Sequence, residues 1–161
     1  GFAQLSRLRL EGWEIRRQKG ADLGERMLHA AEEVLQQYRR VLIIGSDLPD
    51  LTSTLVMSAV DRLAEKQVVI GPAMDGGYYL IGIERAYPEL FQGIDWGSGW
   101  VLAQTLQAAR EAYLRVEMLP PLRDIDTWED LAAFGRRCGR EEAESRISCR
   151  LAKYLLTIHG D

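Results

Sequence analysis

The sequence predicts an α/β fold in three layers, with helices covering both faces of a sheet. Three short runs, VLIIG (41–45), QVVIG (67–71) and YYLIGI (78–83), are apolar enough to be strands buried on both faces. From Leu23 to Tyr38, apolar residues recur instead at the spacing of an amphipathic helix. Helices and strands that alternate through short links are typical of this architecture.

The remaining elements follow from the same periodicities. Asp22 is suited to cap the first helix, and residues 1–20 show no assignable pattern. Pro120 and Pro121 end the last predicted strand. In chain order, the further predicted elements are a helix over 52–65, a helix over 101–113, a strand over 114–119, a helix over 126–138 and a helix over 141–158.

Length and composition indicate one globular domain over residues 1–161. Apolar residues make up 47% and charged residues 27% of the chain, as in ordinary soluble proteins. A net charge of -4 argues against binding to nucleic acid, and no apolar stretch is long enough to span a membrane. Cys138 and Cys149 are interpreted as small helix residues rather than a disulfide framework, so a cytoplasmic protein is expected.

The first candidate site lies where VLIIG ends. Asp47 follows this strand, and in open α/β sheets ligands bind beyond the carboxyl ends of the strands. Ser46 adds a hydroxyl beside it, and Pro49 stiffens the turn. A hard divalent cation such as Mg²⁺ or Mn²⁺ prefers such oxygen ligands. The alternative is that Asp47 and Asp50 only stabilise the turn and begin the next helix.

The second candidate is the loop that joins the two following strands. Gly76 and Gly77 permit positive φ and a close approach of the backbone to a ligand. Asp75 precedes them and could accept hydrogen bonds from a hydroxyl or amine of that ligand. A simple hairpin would also favour Asp-Gly-Gly between two strands.

The third candidate is the acidic segment RDIDTWEDL, residues 123–131. Four carboxylates fall within seven positions there. Asp126 is a good N-cap, with Glu129 as the partner of a capping box. If this loop lies beside Asp47, one of its carboxylates would instead complete a metal site, and spacing alone leaves both interpretations open.

The fourth candidate is IDWGSGWVL, residues 94–102. Trp96 could serve as a lid or stack on a ligand ring, and Ser98 could cap the helix that follows. The alternative for Trp96 is a place in the hydrophobic core.

Five ordered segments carry a resemblance to a known family: GADLGERM (20–27), VLIIGSDLPDL (41–51), VVIGPAMDGGYYLIGI (68–83), IDWGSGWVLAQT (94–105) and LPPLRDIDTWEDL (119–131). Together they resemble a group of GT-A-fold transferases known as rSAM/selenodomain-associated transferases. This group is similar to the guanylyltransferases that make molybdenum and deazaflavin cofactors.

The resemblance implies a nucleotide-diphospho-sugar transferase fold that takes a nucleotide-activated small-molecule donor, for glycosyl or nucleotidyl transfer. It implies that Asp47 and Asp126 hold a Mg²⁺ or Mn²⁺ ion at the donor diphosphate. It also implies that Asp75, Gly76, Gly77 and Tyr78 line the pocket of the second substrate. The predicted catalytic residues are therefore Asp47, Asp75 and Asp126. The predicted substrate-binding residues are Ser46, Gly76, Gly77, Tyr78, Trp96 and Ser98.

One segment of that family has no counterpart here. Its members begin with an apolar strand that leads into a Pro-Gly-x-x-Lys-Thr-Arg-like loop, and Gly1 is expected to lie beyond it. This leaves a second hypothesis, a truncated and catalytically silent domain that binds a partner. The missing first strand also predicts that strand 41–45 has an open edge. That edge would pair with a second copy in a homodimer, or be covered by residues 1–19.

Overall fold

A computed structural model describes residues 14–138 of the chain. The strands are β1 (Val41–Ile44), β2 (Val68–Pro72), β3 (Tyr78–Ile83) and β4 (Val116–Met118). The helices are α1 (Leu23–Leu35), α2 (Ser53–Arg62), α3 (Val101–Glu111) and α4 (Trp128–Arg137), with a 3-10 turn at Pro88–Leu90. Each element predicted within this range is present, with ends displaced by a few residues. The helix predicted over 141–158 lies outside the described residues.

The strands form a four-stranded sheet in the order β1-β3-β2-β4. Strand β3 runs antiparallel to both of its neighbours, whereas β2 and β4 are parallel. Strands β1, β2 and β4 therefore point the same way, and their carboxyl ends meet at one end of the sheet.

Two apolar clusters on opposite faces of the sheet confirm the predicted three-layer α/β fold. On one face, Ile70 and Ile81 pack with α1 and α3. On the other face, Val69 and Leu80 pack with α2 through Ala59 and Leu63. Successive strand residues point to opposite faces, so β2 and β3 supply both clusters. Burial of one side chain of this size stabilises the folded state by roughly 1.5–3 kcal/mol. Because β2 and β3 bury side chains on both faces, this strand pair is the centre of the core.

Strand β1 departs from the prediction that it is buried on both faces. Val41 is 9% exposed, Leu42 and Ile43 are half-buried, and Ile44 is 38% exposed. Among the described residues β1 pairs only with β3, so it is the edge strand of the sheet. The predicted burial was wrong because an apolar run reports hydrophobicity and not the position of a strand within the sheet, whereas the predicted open edge of this strand is present among the described residues.

The helix caps agree with the sequence at Asp22 and correct it at two positions, and Thr52 caps a helix for which no cap was predicted. Asp22 caps α1 by accepting a 2.8 Å hydrogen bond from the Glu25 N–H, and Thr52 caps α2. The N-cap of α4 is Thr127, which forms a capping box with Asp130, so the predicted pair Asp126 and Glu129 was wrong. Helix α3 begins without a side-chain cap, so Ser98 does not have that role.

Cys138 corrects another expectation. It is buried at the end of α4 and is disulfide-bonded, so it is not merely a small helix residue. Its partner lies outside the described residues. Because disulfides are rare in the cytoplasm, the cysteines no longer support the predicted location.

Residues 14–138 contain no helix that is long and apolar enough to cross a membrane.

Candidate active site

Three chain segments meet beyond the carboxyl ends of β1, β2 and β4. The Leu122 N–H donates to the Pro72 carbonyl (3.0 Å), and the Leu122 carbonyl accepts from the Met74 N–H (3.1 Å). The Ile125 N–H donates to the Asp47 carbonyl (3.1 Å). The segment after β4 is therefore hydrogen-bonded both to the β2–β3 loop and to the loop after β1. This pairing brings together acidic residues that are far apart in the sequence.

Asp75, Asp124 and Asp126 converge at this junction. One carboxylate oxygen from each lies within 4.8 Å of the other two. Asp75 and Asp126 are exposed, and Asp124 is half-buried. Asp47 lines the same pocket, although it does not belong to this close group. The predicted metal ligands Asp47 and Asp126 thus share one cavity, and their role remains a prediction.

The pKa of Asp124 is shifted by its place in this cluster. Burial raises its pKa above the ordinary value, and the carboxylates of Asp75, Asp126 and Asp47 raise it further. A backbone hydrogen bond partly offsets these effects. Like charges held close together disfavour ionisation, and a bound cation would remove that repulsion.

The pocket around these carboxylates has a volume of about 570 Å³, which suits a small-molecule ligand. Its wall includes Gly77, Tyr78, Trp96 and Ser98, all predicted substrate-binding residues. Ser46 and Gly76, also predicted to bind substrate, adjoin the wall without lining it. No lysine or arginine lines this pocket among the described residues.

The loop that carries Asp75 is a hairpin connection and also part of the pocket. The Ala73 N–H donates to the Gly77 carbonyl (3.1 Å), which confirms the hairpin alternative. The Gly77 N–H donates to Asp75 Oδ1 (2.8 Å), which holds that carboxylate against its own loop. Gly76 has a φ of +92°, and a Cβ there would lie 2.1 Å from the Gly99 carbonyl oxygen. Only glycine fits this contact without displacement.

Trp96 has the place in the hydrophobic core that was considered for it and also lines the pocket, while its role toward a ligand remains a prediction. Its ring packs edge to face against Tyr78 with centroids 6.2 Å apart, and it contacts the core cluster while lining the pocket. Trp96 Nε1 and the Tyr78 hydroxyl are buried, and neither has a hydrogen-bond partner among the described residues. Burial raises the pKa of Tyr78, only partly offset by the nearby Thr105 hydroxyl, whose geometry falls short of a hydrogen bond. Tyr78 therefore stays protonated at neutral pH.

The remaining candidate residues take structural partners. Ser98 Oγ donates to the Asp95 carbonyl (2.8 Å) and accepts from the Trp100 N–H (3.3 Å), so it shapes the loop before α3. Asp50 forms an ion pair with Arg137 (3.1 Å), which ties α4 to the loop after β1.

Asp124 is the residue of the cluster that sequence reasoning did not single out. The capping pattern at Asp126 drew the interpretation toward a helix start. Asp124 and Asp126 are two residues apart, a spacing that places side chains on one side of an extended chain. That spacing is the signal that could have identified the pair.

Comparison with known proteins gives a family and a fold relative. The family described as "Uncharacterized protein conserved in bacteria (DUF2064)" matches residues 2–98, more than half of the chain. This range includes Asp47, Asp75 and Trp96, and ends before Asp124 and Asp126. No curated protein matches the chain.

A solved structure from Desulfovibrio desulfuricans G20, provisionally named a nucleotide-diphospho-sugar transferase, is 37% identical with a TM-score of 0.79. The match covers 88% of this chain and 62% of that one, so this chain spans less than two thirds of its relative.

Proposed function

The chain belongs to the DUF2064 family of proteins conserved in bacteria, and from that premise we propose that it is a metal-dependent transferase acting on a nucleotide-activated donor. The convergence of Asp75, Asp124 and Asp126 in one pocket is the observation that carries the proposal. The name of the Desulfovibrio protein supports the same class of reaction. The resemblance to GT-A-fold, rSAM/selenodomain-associated transferases is the finer form of this proposal.

The carboxylates fit a hard divalent cation. Mg²⁺ and Mn²⁺ prefer oxygen ligands and commonly take one or two carboxylates together with substrate phosphates. Asp75, Asp124 and Asp126 would supply such ligands, with Asp47 in reach of the same pocket. When bound, the ion would offset the negative charge of the donor diphosphate. Burial raises the pKa of Asp124, and the carboxylates of Asp75, Asp126 and Asp47 add to that effect, so a bound cation would offset charge that the site now crowds together.

The protein residues position the reactants around that charge. The hydrogen bond from the Gly77 N–H fixes Asp75 toward one orientation, and the backbone pairing of residues 122–125 sets Asp124 and Asp126 beside it. Trp96 and Tyr78 form an apolar wall that would exclude water from one side of a bound ring. Charge then develops on the leaving phosphate while the acceptor attacks, in a glycosyl or nucleotidyl transfer. Such a reaction requires no His, Cys or Lys nucleophile from the protein.

A second candidate function is a catalytically silent domain that binds a partner. The absence of lysine and arginine from the lining of the described pocket favours it, because phosphate sites commonly use such residues.

Thermal unfolding with Mn²⁺ and a panel of nucleotides and nucleotide sugars separates the two candidates. A ligand present at 100 times its Kd stabilises a protein by about 2.7 kcal/mol. If the chain is a transferase, we expect one donor to raise its unfolding temperature by an amount that corresponds to a stabilisation of this order. Asp126→Asn and Asp124→Asn should each lose most of that stabilisation. Asp61→Asn is the matched control, since Asp61 is an exposed carboxylate on α2 outside the pocket.

Two outcomes would count against the transferase. One is the absence of any shift with every metal and nucleotide pair, which favours the silent domain. The other is a shift that persists in both pocket variants, which would place the ligand elsewhere.

A further inference from the structure

A second cavity runs along α3 and is separate from the acidic pocket. It has a volume of about 780 Å³ and an open, shallow shape. Its lining includes Ala103, Ala108 and Trp100. We call it the α3 groove.

Trp100 presents its indole ring on a fixed backbone. Trp100 is 69% exposed, which is unusual for so large an apolar residue. Its N–H donates to Ser98 Oγ (3.3 Å), and its carbonyl accepts from the Gln104 N–H (2.9 Å). Trp100 therefore lines the groove from a hydrogen-bonded backbone. An aromatic face of this kind packs well against the C–H face of a sugar ring.

The polar part of the groove consists of amides and carboxylates. Gln92, Gln107, Glu89 and Glu111 line it, and no lysine or arginine does so among the described residues. Such groups donate to and accept from hydroxyls, whereas the carboxylates repel phosphate and other anions. The groove thus suits a neutral ligand rich in hydroxyl groups, in contrast to a nucleotide.

The loop before α3 separates the groove from the acidic pocket. Trp96, Gly97 and Ser98 line the pocket, whereas Gly93 and Trp100 line the groove. The Asp95 N–H donates to Gln104 Oε1 (2.7 Å), which fastens this loop to α3. A long ligand could therefore lie in the groove with one end near the pocket.

We propose that the α3 groove binds a neutral saccharide, with Trp100 as the stacking platform. Its further assignment as the acceptor subsite of the transferase rests on the proposed function. The saccharide site itself does not, because it depends only on the groove.

Titration of ¹⁵N-labelled protein with maltotriose, cellotriose and chitotriose tests the site directly. We expect saturable shifts of the amide signals of Gly93, Ala103 and Ala108 with at least one trisaccharide. Trp100→Ala should weaken that binding by about tenfold or more, since loss of a stacked aromatic ring is an effect of this order. Gln92→Ala, which removes one amide from the lining, should weaken it by a smaller factor.

Trp128→Ala is the matched control, because Trp128 is 51% exposed and lies outside both cavities. No saturable shift with any of the trisaccharides, or equal binding by the wild type and Trp100→Ala, would overturn the proposal. Asp61→Asn, at an exposed carboxylate of α2 outside both cavities, should bind the saccharide normally. If the nucleotide experiment fails while this binding persists, the transferase assignment fails and the saccharide site stands.

Discussion

The acidic pocket and the α3 groove lie on opposite sides of one loop, residues 93–100, yet they are built differently. The pocket collects carboxylates from the ends of three strands, so its charge depends on segments far apart in the chain. The groove is lined mainly by one helix, at the three- and four-residue spacing of a helix face. A cluster of carboxylates in this protein therefore depends on the pairing of distant segments, whereas an amide-lined surface needs only a helix and a turn.

The largest expected contrast concerns a glycine from each region. Gly76→Ala places a Cβ 2.1 Å from the Gly99 carbonyl oxygen at a φ of +92°, so we expect a loss of roughly 2–5 kcal/mol in the free energy of unfolding. Gly93→Ala in the groove meets nothing within 4 Å at a φ of +71°, so the loss should be about 1–2 kcal/mol. Urea unfolding of both variants measures the difference. Equal losses would show that the packing between the Asp75 loop and the Gly99 turn is not tight.

A smaller expected effect is the pH dependence of stability that Asp124 gives to the pocket. In metal-free protein, burial and neighbouring carboxylates raise the pKa of Asp124, so the native state holds that proton to a higher pH than the unfolded chain. Its contribution to stability is fully present below the ordinary value of 3.8 and is lost as pH rises through the raised pKa. We therefore expect the stability of the wild type relative to Asp124→Asn to fall over that window, measured by urea unfolding with a chelator.

Asp130→Asn provides the control of opposite sign. Hydrogen bonds from Thr127 lower the pKa of Asp130, so its contribution is present above the ordinary value and is lost as pH falls through the lowered pKa. If the two variants gave slopes of the same sign, the carboxylate repulsion assigned to Asp124 would be wrong.

The smallest expected effect concerns the edge of the sheet beside the pocket. The Gly45 N–H donates to the Tyr79 carbonyl (2.9 Å), so by the antiparallel alternation Leu42 and Ile44 direct their backbone groups to the outer edge of β1. We expect weak homodimers through this edge, seen by light scattering after size exclusion, and their loss in Ile44→Lys. Met57→Lys, at an exposed position on α2, should still dimerise. A wild type that stays monomeric as its concentration rises would exclude this interface.

Several parts of the structure could be predicted because they depend on local patterns. Strand β3 has the same bounds as the predicted run YYLIGI, and Asp22 caps α1 as its position before an amphipathic pattern indicated. Asp47, Asp75 and Trp96 were selected because they follow strands or precede a helix, and the structure places all three around one pocket. Their proposed chemistry remains a prediction.

Other features could not be predicted from local patterns. Thr127 rather than Asp126 caps α4, a choice between adjacent residues that depends on where the segment after β4 is held by Pro72 and Asp47. The burial of β1 was overestimated because strand order, not hydrophobicity, decides which strand lies at an edge.

The alternation of helices and strands, and the acidic turns that end the strands, follow from local patterns, since periodicity and turn chemistry act between near neighbours. Which carboxylates lie close together depends instead on how the strands pair. Asp124 joins Asp75 because β4 lies parallel to β2, and that pairing is set by the burial of the whole sheet rather than by any one segment.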